Sequence, residues 1–256
     1  MSRLAIITGV SRLAGIGRAT CIELAKDGVD IFFTYWSDYD KQMPWQVASN
    51  EPDLIQKEII SLGRKCVKLE LDLSEPSSVD VLFDTAESQM GAVDILINNA
   101  TYSTETKIEN FSAAELDRHY QINVRATTLL TVEFIKRFKG NNGGRIVNLT
   151  SGQSLSEMPD ELAYAITKGV AETLTTTLSQ KIAAKGITIN AVNPGPNDTG
   201  WMDDKLKQEL IERFPMKRLG SPKDTAHLIG FLASDKAEWI TGQIIHSEGG
   251  FMRQQS

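Results

Sequence analysis

The sequence predicts an α/β fold in which a doubly wound, seven-stranded parallel sheet carries helices on both faces. Short apolar or β-branched runs alternate with longer runs of helical period along the whole chain. Several of the short runs are apolar without alternation, as expected of strands that are covered on both faces. A length of 256 residues suits one undivided α/β domain. We therefore expect a single dinucleotide-binding domain over residues 1–256.

The strands and helices follow one another in regular order. The predicted strands are Leu4–Thr8, Asp30–Thr34, Lys65–Leu71, Asp94–Asn98, Arg145–Thr150, Thr188–Val192 and Gln243–His246. The predicted helices are Gly15–Asp27, Leu54–Ser61, Ser77–Gln89, Ala113–Phe138, Glu161–Ala184 and Pro222–Ala233. Repeated strand–helix–strand units imply right-handed crossovers and hence parallel strands.

The helix ends carry recognisable signals. Ser112 and Glu115 predict a capping box, and Ser221 followed by Pro222 predicts an N-cap with proline in the first turn. The predicted left-handed caps are Gly28, Gly63 and Gly186.

Two stretches interrupt the alternation. Residues 36–53 contain Trp36, Tyr39, Pro44 and Trp45 and are interpreted as an extended loop after the second strand. Residues 196–217 hold one short predicted helix, Lys205–Arg213, between two prolines. Both stretches follow the carboxyl ends of strands, where ligands bind in this architecture, so both are candidate lids, with 196–217 expected to cover the substrate.

The composition excludes several classes of protein. With 27 basic and 33 acidic residues the net charge is −6, which disfavours binding to nucleic acid. The sequence contains neither an apolar run of the ~18 residues needed to span a bilayer nor a secretory signal. Two cysteines and three scattered histidines predict neither a disulfide framework nor a metal site. We expect a cytoplasmic protein that does not bind membranes.

A glycine-rich loop follows the first strand and opens the first helix. Its glycines Gly9, Gly15 and Gly17 permit a tight turn and close approach of the backbone, while the helix N-terminus offers free N–H groups to a pyrophosphate. The position of the loop within a strand–helix–strand unit favours a Rossmann-type dinucleotide site over an ordinary turn.

The end of the second strand indicates which dinucleotide binds. NAD sites usually place an acid there, but Tyr35 and Trp36 occupy the position and the first carboxylate is Asp38. Arg12, inside the glycine loop, is suited to pair with a 2′-phosphate. The sequence therefore favours NADP over NAD, and the alternative is that Arg12 is simply solvated.

A tyrosine and a lysine are spaced to share one helix face. Tyr164 and Lys168 stand at i and i+4, and the ammonium is expected to lower the tyrosine pKa from ~10 toward neutrality, where proton exchange is efficient. Ser151 ends the fifth strand, so its hydroxyl is expected to enter the same crevice. As a purely structural residue, Ser151 would cap or close a turn.

Taken together, these motifs resemble the short-chain dehydrogenase/reductase family over nearly the whole chain, including its 3-oxoacyl-[acyl-carrier-protein] reductase-like members. The matching positions are Gly9 to Gly17, Asp72-Leu73, Asn98-Asn99-Ala100, Asn123, Ser151, Tyr164 with Lys168, Asn193-Pro194-Gly195, Thr199 and Ser247-Glu248-Gly249-Gly250. The resemblance implies an oxidoreductase that interconverts a ketone and a secondary alcohol.

The resemblance also implies roles for individual residues. Tyr164 is expected to exchange a proton with the substrate oxygen, Ser151 to hydrogen-bond that oxygen, Lys168 to assist the tyrosine and hold the nicotinamide ribose, and Asn123 to hold a water that relays protons. The expected cofactor-binding set is Gly9, Ser11, Arg12, Gly15, Ile16, Gly17, Tyr35, Asp72, Leu73, Asn99, Ala100, Lys168, Pro194, Gly195 and Thr199.

Two positions depart from the family pattern. Five residues separate Gly9 from Gly15, where three are common, and Thr101 stands where glycine often follows Asn-Asn-Ala. The i, i+4 spacing of Tyr164 and Lys168 argues against enoyl-thioester reduction, because enoyl reductases of the superfamily have a longer spacing. It favours carbonyl or alcohol chemistry.

The sequence identifies the substrate and the partners less precisely than it identifies the fold and the catalytic residues. The segment Arg218 to Pro222 is similar to that of 3-oxoacyl thioester reductases, so an acyl carrier protein is one expected partner. Basic residues for such docking are Lys136, Arg137, Lys139 and Lys185, although the first three also suit a solvated helix end. The alternatives are an NAD-dependent alcohol or sugar dehydrogenase and a non-catalytic dinucleotide sensor. The family resemblance implies a homotetramer.

Overall fold

The computed structural model describes residues 2–43, 45 and 47–253, and its centre is a seven-stranded sheet. The strands are β1 Leu4–Ile7, β2 Asp30–Tyr35, β3 Cys66–Glu70, β4 Ile95–Asn98, β5 Gly144–Leu149, β6 Ile187–Asn193 and β7 Ile244–His246. All pairings are parallel, in the order β3-β2-β1-β4-β5-β6-β7. The predicted fold class is confirmed.

Successive strand residues enter opposite cores, which explains the apolar runs in the sequence. Ile6 and Phe32 pack into one hydrophobic cluster, whereas their chain neighbours Ile7 and Phe33 pack into the other. All four side chains are fully buried. A strand between two layers of helices must be apolar at every position, because each face excludes water.

Helices cover both faces of this sheet. They are α1 Ile16–Lys26, α2 Ser37–Lys41, α3 Glu51–Ser61, α4 Ser78–Met90, α5 Ala113–His119, α6 Thr127–Arg137, α7 Leu162–Ala183, α8 Asp204–Glu212 and α9 Pro222–Ala233. The three predicted glycine caps all have positive φ. Ser221 makes a full capping box with Asp224, whereas at α5 only the Ser112 half forms. Within the described ranges, no helix is both long and apolar enough to cross a bilayer.

Two predicted elements differ from the structure. The helix predicted over Ala113–Phe138 is interrupted by a π-helical segment, Tyr120–Ala126, between α5 and α6. The stretch 36–53 is not a continuous loop, because α2 forms within it and α3 begins at Glu51; Pro44 lies outside the described residues. Local helical propensity does not distinguish a π turn from an α-helical one, so the sequence predicts a continuous helix here.

The sheet order places a crevice at the carboxyl ends of the strands. β1 pairs with β2 on one side and with β4 on the other, so the chain order reverses at β1. Loops that leave β1 and β4 diverge to opposite faces at such a point and leave a cleft between them.

Candidate active site

The glycine loop after β1 packs directly on the segment after β4. Gly9 has a φ of +72°, and a Cβ built on it would lie 2.7 Å from the Cα of Ala100. Asn99 fastens the two segments, because its Nδ2 donates to the carbonyl oxygens of Thr8 at 2.7 Å and Gly9 at 2.9 Å. The Thr8 hydroxyl accepts from the Ala100 N–H at 3.0 Å. Only glycine fits at position 9.

The start of α1 fits the phosphates of a dinucleotide. A Cβ on Gly17 would lie 2.9 Å from Nδ2 of Asn99, so the loop leaves no room for a side chain there. α1 begins at Ile16, and its N-cap, Gly15, provides no side-chain acceptor for the first N–H groups. These donors face the cleft that Ser11 and Tyr35 also line. Free N–H groups and the positive end of a helix dipole are what a pyrophosphate requires.

The expected adenine and nicotinamide contacts lie at two ends of this cleft. Asp72 and Leu73 line it at one end, with the Asp72 carboxylate fixed by the N–H of Ser74 at 2.8 Å. Pro194 and Gly195 line the other end, where Gly195 has a φ of +65°. The structure therefore brings the sequence-predicted cofactor residues into one cleft.

Arg12 is held across the mouth of the cleft. Its guanidinium carbon lies 4.2 Å from the centre of the Trp45 ring, and Nη1 donates to the carbonyl oxygen of Thr199 at 2.9 Å. It is half-buried, so it is not the simply solvated side chain of the alternative interpretation. Arg12 thus connects the glycine loop to two other segments of the chain.

Asp40 is a further cleft residue near Arg12. Its side chain is buried, and Oδ1 accepts from Nε1 of Trp45 at 3.1 Å. Among the described residues, Oδ2 has no hydrogen-bond partner. No local pattern predicts this carboxylate, because Asp40 stands five residues beyond the end of β2.

The three catalytic candidates meet at the end of β5. The side chain of Ser151 lies beside the Tyr164 hydroxyl, and both residues line the cleft. Nζ of Lys168 lies 5.8 Å from the centre of the Tyr164 ring and donates to the carbonyl oxygen of Leu149. Tyr164 and Lys168 share one face of α7, as the i, i+4 spacing predicted.

The expected fall in the pKa of Tyr164 toward neutrality is wrong for the protein alone. Burial raises the pKa of Tyr164 to about 12, the neighbouring Ser151 side chain opposes the rise, and the Glu161 carboxylate adds to it. Burial also lowers the pKa of Lys168 to about 8. Loss of solvation therefore outweighs the attraction between phenolate and ammonium.

Asn123 lies in the π-helical segment and uses its whole side chain for structure. Oδ1 accepts from the Thr101 hydroxyl at 3.0 Å and the Tyr102 N–H at 2.9 Å. Nδ2 donates to the carbonyl oxygen of Tyr102 at 2.9 Å and the Thr167 hydroxyl at 3.0 Å. Thr101, the departure from the family glycine, therefore supports Asn123, and a relay water would have to use the Asn123 backbone.

Glu161 is the main residue near the reacting group that the sequence reasoning missed. It stands three residues before Tyr164, so helical spacing was a usable signal. Burial raises the pKa of Glu161, and the neighbouring carboxylates of Asp160 and Glu105 raise it further.

Among residues 2–43, 45 and 47–253, no cluster of three His, Cys, Asp or Glu side chains is arranged to hold a metal ion.

Known proteins resemble this chain along almost its full length. The uncharacterized oxidoreductase YjdA of Bacillus subtilis is 47% identical over 98% of this chain and 97% of its own. The NADPH-dependent aldehyde reductase-like protein of Arabidopsis thaliana chloroplasts is 39% identical, over 98% and 94%. The 3-oxoacyl-[acyl-carrier-protein] reductase FabG of Staphylococcus epidermidis is 32% identical, over 98% and 99%.

A solved structure and a family model agree with these relatives. The angucycline C-6 ketoreductase LanV with bound NADP has a TM-score of 0.86 and is 28% identical, over 97% of this chain and 95% of its own. A family model described as Enoyl-(Acyl carrier protein) reductase matches residues 9–252. With its parallel sheet, its glycine loop and the Ser151–Tyr164–Lys168 arrangement, the chain belongs to the short-chain dehydrogenase/reductase family of NAD(P)-dependent oxidoreductases.

Proposed function

We propose that this protein is an NADP(H)-preferring oxidoreductase that reduces a ketone to a secondary alcohol, with Tyr164 as the proton donor. The placement of Ser151 beside Tyr164, inside a cleft whose other end is a glycine cradle, carries the proposal. The i, i+4 spacing of Tyr164 and Lys168 supports carbonyl rather than enoyl reduction. The keto- and aldehyde-reductase names among the relatives support the same choice.

The proposed mechanism assigns one task to each side chain. Ser151 hydrogen-bonds the carbonyl oxygen of the substrate and fixes it next to the Tyr164 hydroxyl. A tyrosine pKa of about 12 keeps that hydroxyl protonated at neutral pH, so it is ready to donate its proton to the oxygen as reduction proceeds. Lys168 stabilises the tyrosinate that results. The Asn123 backbone is proposed to hold the water through which the proton is replaced.

The cofactor is proposed to lie along the cleft on the residues predicted from the sequence. The glycine loop and the start of α1 would hold the pyrophosphate, Asp72, Leu73, Asn99 and Ala100 the adenosine, and Pro194, Gly195 and Thr199 the nicotinamide. NADPH, when bound, supplies the hydride. The protein contributes orientation and the proton.

Tyr164→Phe tests the assignment of the proton donor. We expect kcat to fall by about a thousandfold, within the range for loss of a general acid, while NADPH affinity stays unchanged. Tyr120→Phe, an exposed tyrosine in the π-helical segment, is the matched control and should keep full activity. Turnover by Tyr164→Phe equal to that of the wild type rules out the mechanism.

The preference for NADP rests on the end of β2 and on Arg12. No carboxylate side chain occupies positions 35 and 36, and one relative is described as NADPH-dependent. The buried Asp40 carboxylate favours the alternative, an NAD-dependent alcohol or sugar dehydrogenase, because it lies near Arg12 and has a free oxygen among the described residues.

Titrations of the wild type and Arg12→Ala with NADPH and NADH distinguish the NADP-preferring enzyme from the NAD-dependent alternative. We expect the substitution to weaken NADPH binding about tenfold more than NADH binding, as loss of one charge-assisted contact implies. If the substitution weakens the binding of both cofactors equally, Arg12 has only a structural role, in which it connects the glycine loop with Trp45 and Thr199. Tighter NADH binding by the wild type would favour the alternative.

The proposed substrate is a small carbonyl compound, with a 3-oxoacyl thioester among the candidates. The basic cluster expected to dock an acyl carrier protein is largely neutralised, since Arg137 bonds to Glu133 at 2.7 Å and Asp84 at 2.6 Å, and Lys136 bonds to Glu133 at 3.2 Å. This pairing supports the solvated-helix interpretation of the cluster. Segment 196–217, which includes α8, is proposed as the substrate lid.

A cytoplasmic homotetramer is proposed as the working form. The family resemblance places the helical stretches Ala113–Phe138 and Glu161–Ala184 at one subunit interface. Three large apolar side chains are exposed on these stretches, namely Tyr120, Leu129 and Ile166. Near the C-terminal segment, Trp239 is 96% exposed and Phe231 is 42% exposed, which marks a second face. Such exposed apolar side chains are candidates for contact between subunits. Sedimentation that finds only monomers would contradict this proposal.

A further inference from the structure

A guanidinium from the C-terminal segment lies beside the residue that follows Ser151. The flat group of Arg253 covers Gly152, with Cζ 3.1 Å and Nε 3.4 Å from the position that a Cβ on Gly152 would take. Any side chain at position 152 would displace it. Arg253 and Ser151 both line the cleft, so the guanidinium borders the place where the substrate carbonyl is proposed to bind.

A carboxylate fixes this guanidinium in place. Arg253 makes a two-point ion pair with Glu248, in which Nη1 donates to Oε2 at 3.0 Å and Nη2 donates to Oε1. The two side chains are 14% and 10% exposed. Glu248 is in turn held by Nδ2 of Asn193, which donates to Oε1 at 2.8 Å. The pair therefore connects the end of β6 with the end of β5 across the cleft.

The backbone of the segment is also held. Nε of Arg213, at the end of α8, donates to the carbonyl oxygen of Met252 at 2.9 Å, and Nη2 donates to that of Arg253. The N–H of Met252 returns a bond to the carbonyl oxygen of Arg213 at 3.0 Å. A group supported in this way loses little conformational entropy when a ligand binds to it.

The Arg253 guanidinium has donors to spare. It carries five N–H bonds in a planar fork, and among the described residues its hydrogen bonds go to Glu248 alone. Glu248 balances its charge, so the pair is better suited to a neutral carbonyl oxygen than to a fully ionised group. An arginine is also a stronger donor to such an oxygen than an uncharged side chain.

We propose that Arg253 determines substrate specificity by hydrogen-bonding a second carbonyl oxygen of the substrate, one or two carbons from the carbonyl that is reduced. The inference rests on the proposed ketone reduction and deepens it. The preferred class is then a dicarbonyl compound. Ser151 and Tyr164 hold the reacting oxygen, while Arg253 holds the other one and so fixes the orientation of the carbon skeleton.

Arg253→Met tests the proposal with pentane-2,4-dione and pentan-2-one as matched substrates. Methionine keeps an unbranched apolar stem and removes every donor. We expect kcat/KM for the dione to fall about tenfold, mainly through KM, as loss of a hydrogen bond from a charged donor implies. For pentan-2-one, which has one carbonyl, we expect a change below about twofold. Arg218→Met, an exposed ion-pair arginine outside the cleft, is the control and should leave both values unchanged.

Two outcomes overturn the inference. An equal loss on both substrates assigns Arg253 a purely structural role, and no loss on either shows that it does not contact the substrate. If Arg253→Met fails to fold, as judged by circular dichroism and NADPH affinity, Arg253→Leu, which also lacks every donor, is measured on the same two substrates. If the wild type reduces neither compound nor any other ketone, the proposed function has failed, which is a distinguishable result.

Discussion

The two ends of the cleft are built in different ways. At the cofactor end, the glycine loop and the segment after β4 meet backbone to backbone, and Gly9 leaves no space for even a methyl group against Ala100. At the reaction end, polar side chains form the site: Ser151 lies beside Tyr164, and the buried Lys168 donates to the carbonyl oxygen of Leu149. The cofactor end depends on glycines, because any side chain would keep the two backbones apart. The reaction end depends on polar side chains whose charged forms lose solvation in the cleft.

This difference separates two kinds of sensitivity. A backbone cradle fails through steric overlap, which does not depend on pH. A buried polar group changes its behaviour with protonation, because desolvation shifts its pKa. Substitutions at the cofactor end are therefore expected to change binding, whereas substitutions at the reaction end are expected to change rates and their dependence on pH.

Gly9→Ala, compared with Gly63→Ala, isolates the steric component at the cofactor end. Both glycines have positive φ, +72° and +78°, but only Gly9 has a neighbour within 4 Å of the added methyl group. Both variants should lose about 1 kcal/mol of stability from the left-handed backbone. Only Gly9→Ala should weaken NADPH binding, by about a hundredfold, as measured by fluorescence titration. Similar affinities in the two variants would refute a backbone-built cradle.

Lys168→Met tests the cost of the buried charge at the reaction end. Burial lowers the pKa of Lys168 from 10.5 to about 8 in the folded protein. Below pH 8 the lysine is therefore a buried cation, and its loss of solvation by water reduces the free energy of unfolding. We expect kcat to fall at least tenfold while the free energy of unfolding at pH 7 rises by roughly 1–3 kcal/mol.

The sign of this stability gain depends on pH. The wild type should become more stable as pH rises from about 8 to 10.5, because the folded lysine loses its proton before the unfolded one does. The advantage of Lys168→Met should shrink over the same interval in urea titrations. Lys181→Met, at an exposed position of the same helix, should show neither effect, and a loss of stability in Lys168→Met at pH 7 would contradict the argument.

Glu161→Gln should have the smallest effect of the three. Removal of the Glu161 carboxylate removes one cause of the raised pKa of Tyr164, so more tyrosinate is present at a given pH. Oxidation of the alcohol, in which Tyr164 accepts a proton, should therefore become about threefold faster at pH 8. Glu157→Gln, on an exposed cleft residue, is the control; the same gain there would show that Glu161 does not act on Tyr164 specifically.

The sequence was informative where one residue type fits only one environment. Strands such as β1 and β2 are apolar at successive positions because both of their faces are covered. The loop after β1 needs glycine at the positions where its backbone contacts the segment after β4. The seven parallel strands, the glycine caps and the shared helix face of Tyr164 and Lys168 followed from such local patterns, whereas the order of the strands in the sheet comes from the structure. The π-helical segment around Asn123 did not, because its hydrogen bonds go to Thr101, Tyr102 and Thr167.

By itself, then, the sequence determined the architecture and the chemical groups at the cleft, since periodicity and glycine placement act over a few residues. Only the tertiary structure decided the electrostatics and the distant contacts. The pKa of Tyr164 depends on how much water its neighbours exclude, and spacing along a helix does not record that. Arg253 reaches Gly152 only because the sheet brings the ends of β5 and β7 to one edge, so no local pattern predicts that contact.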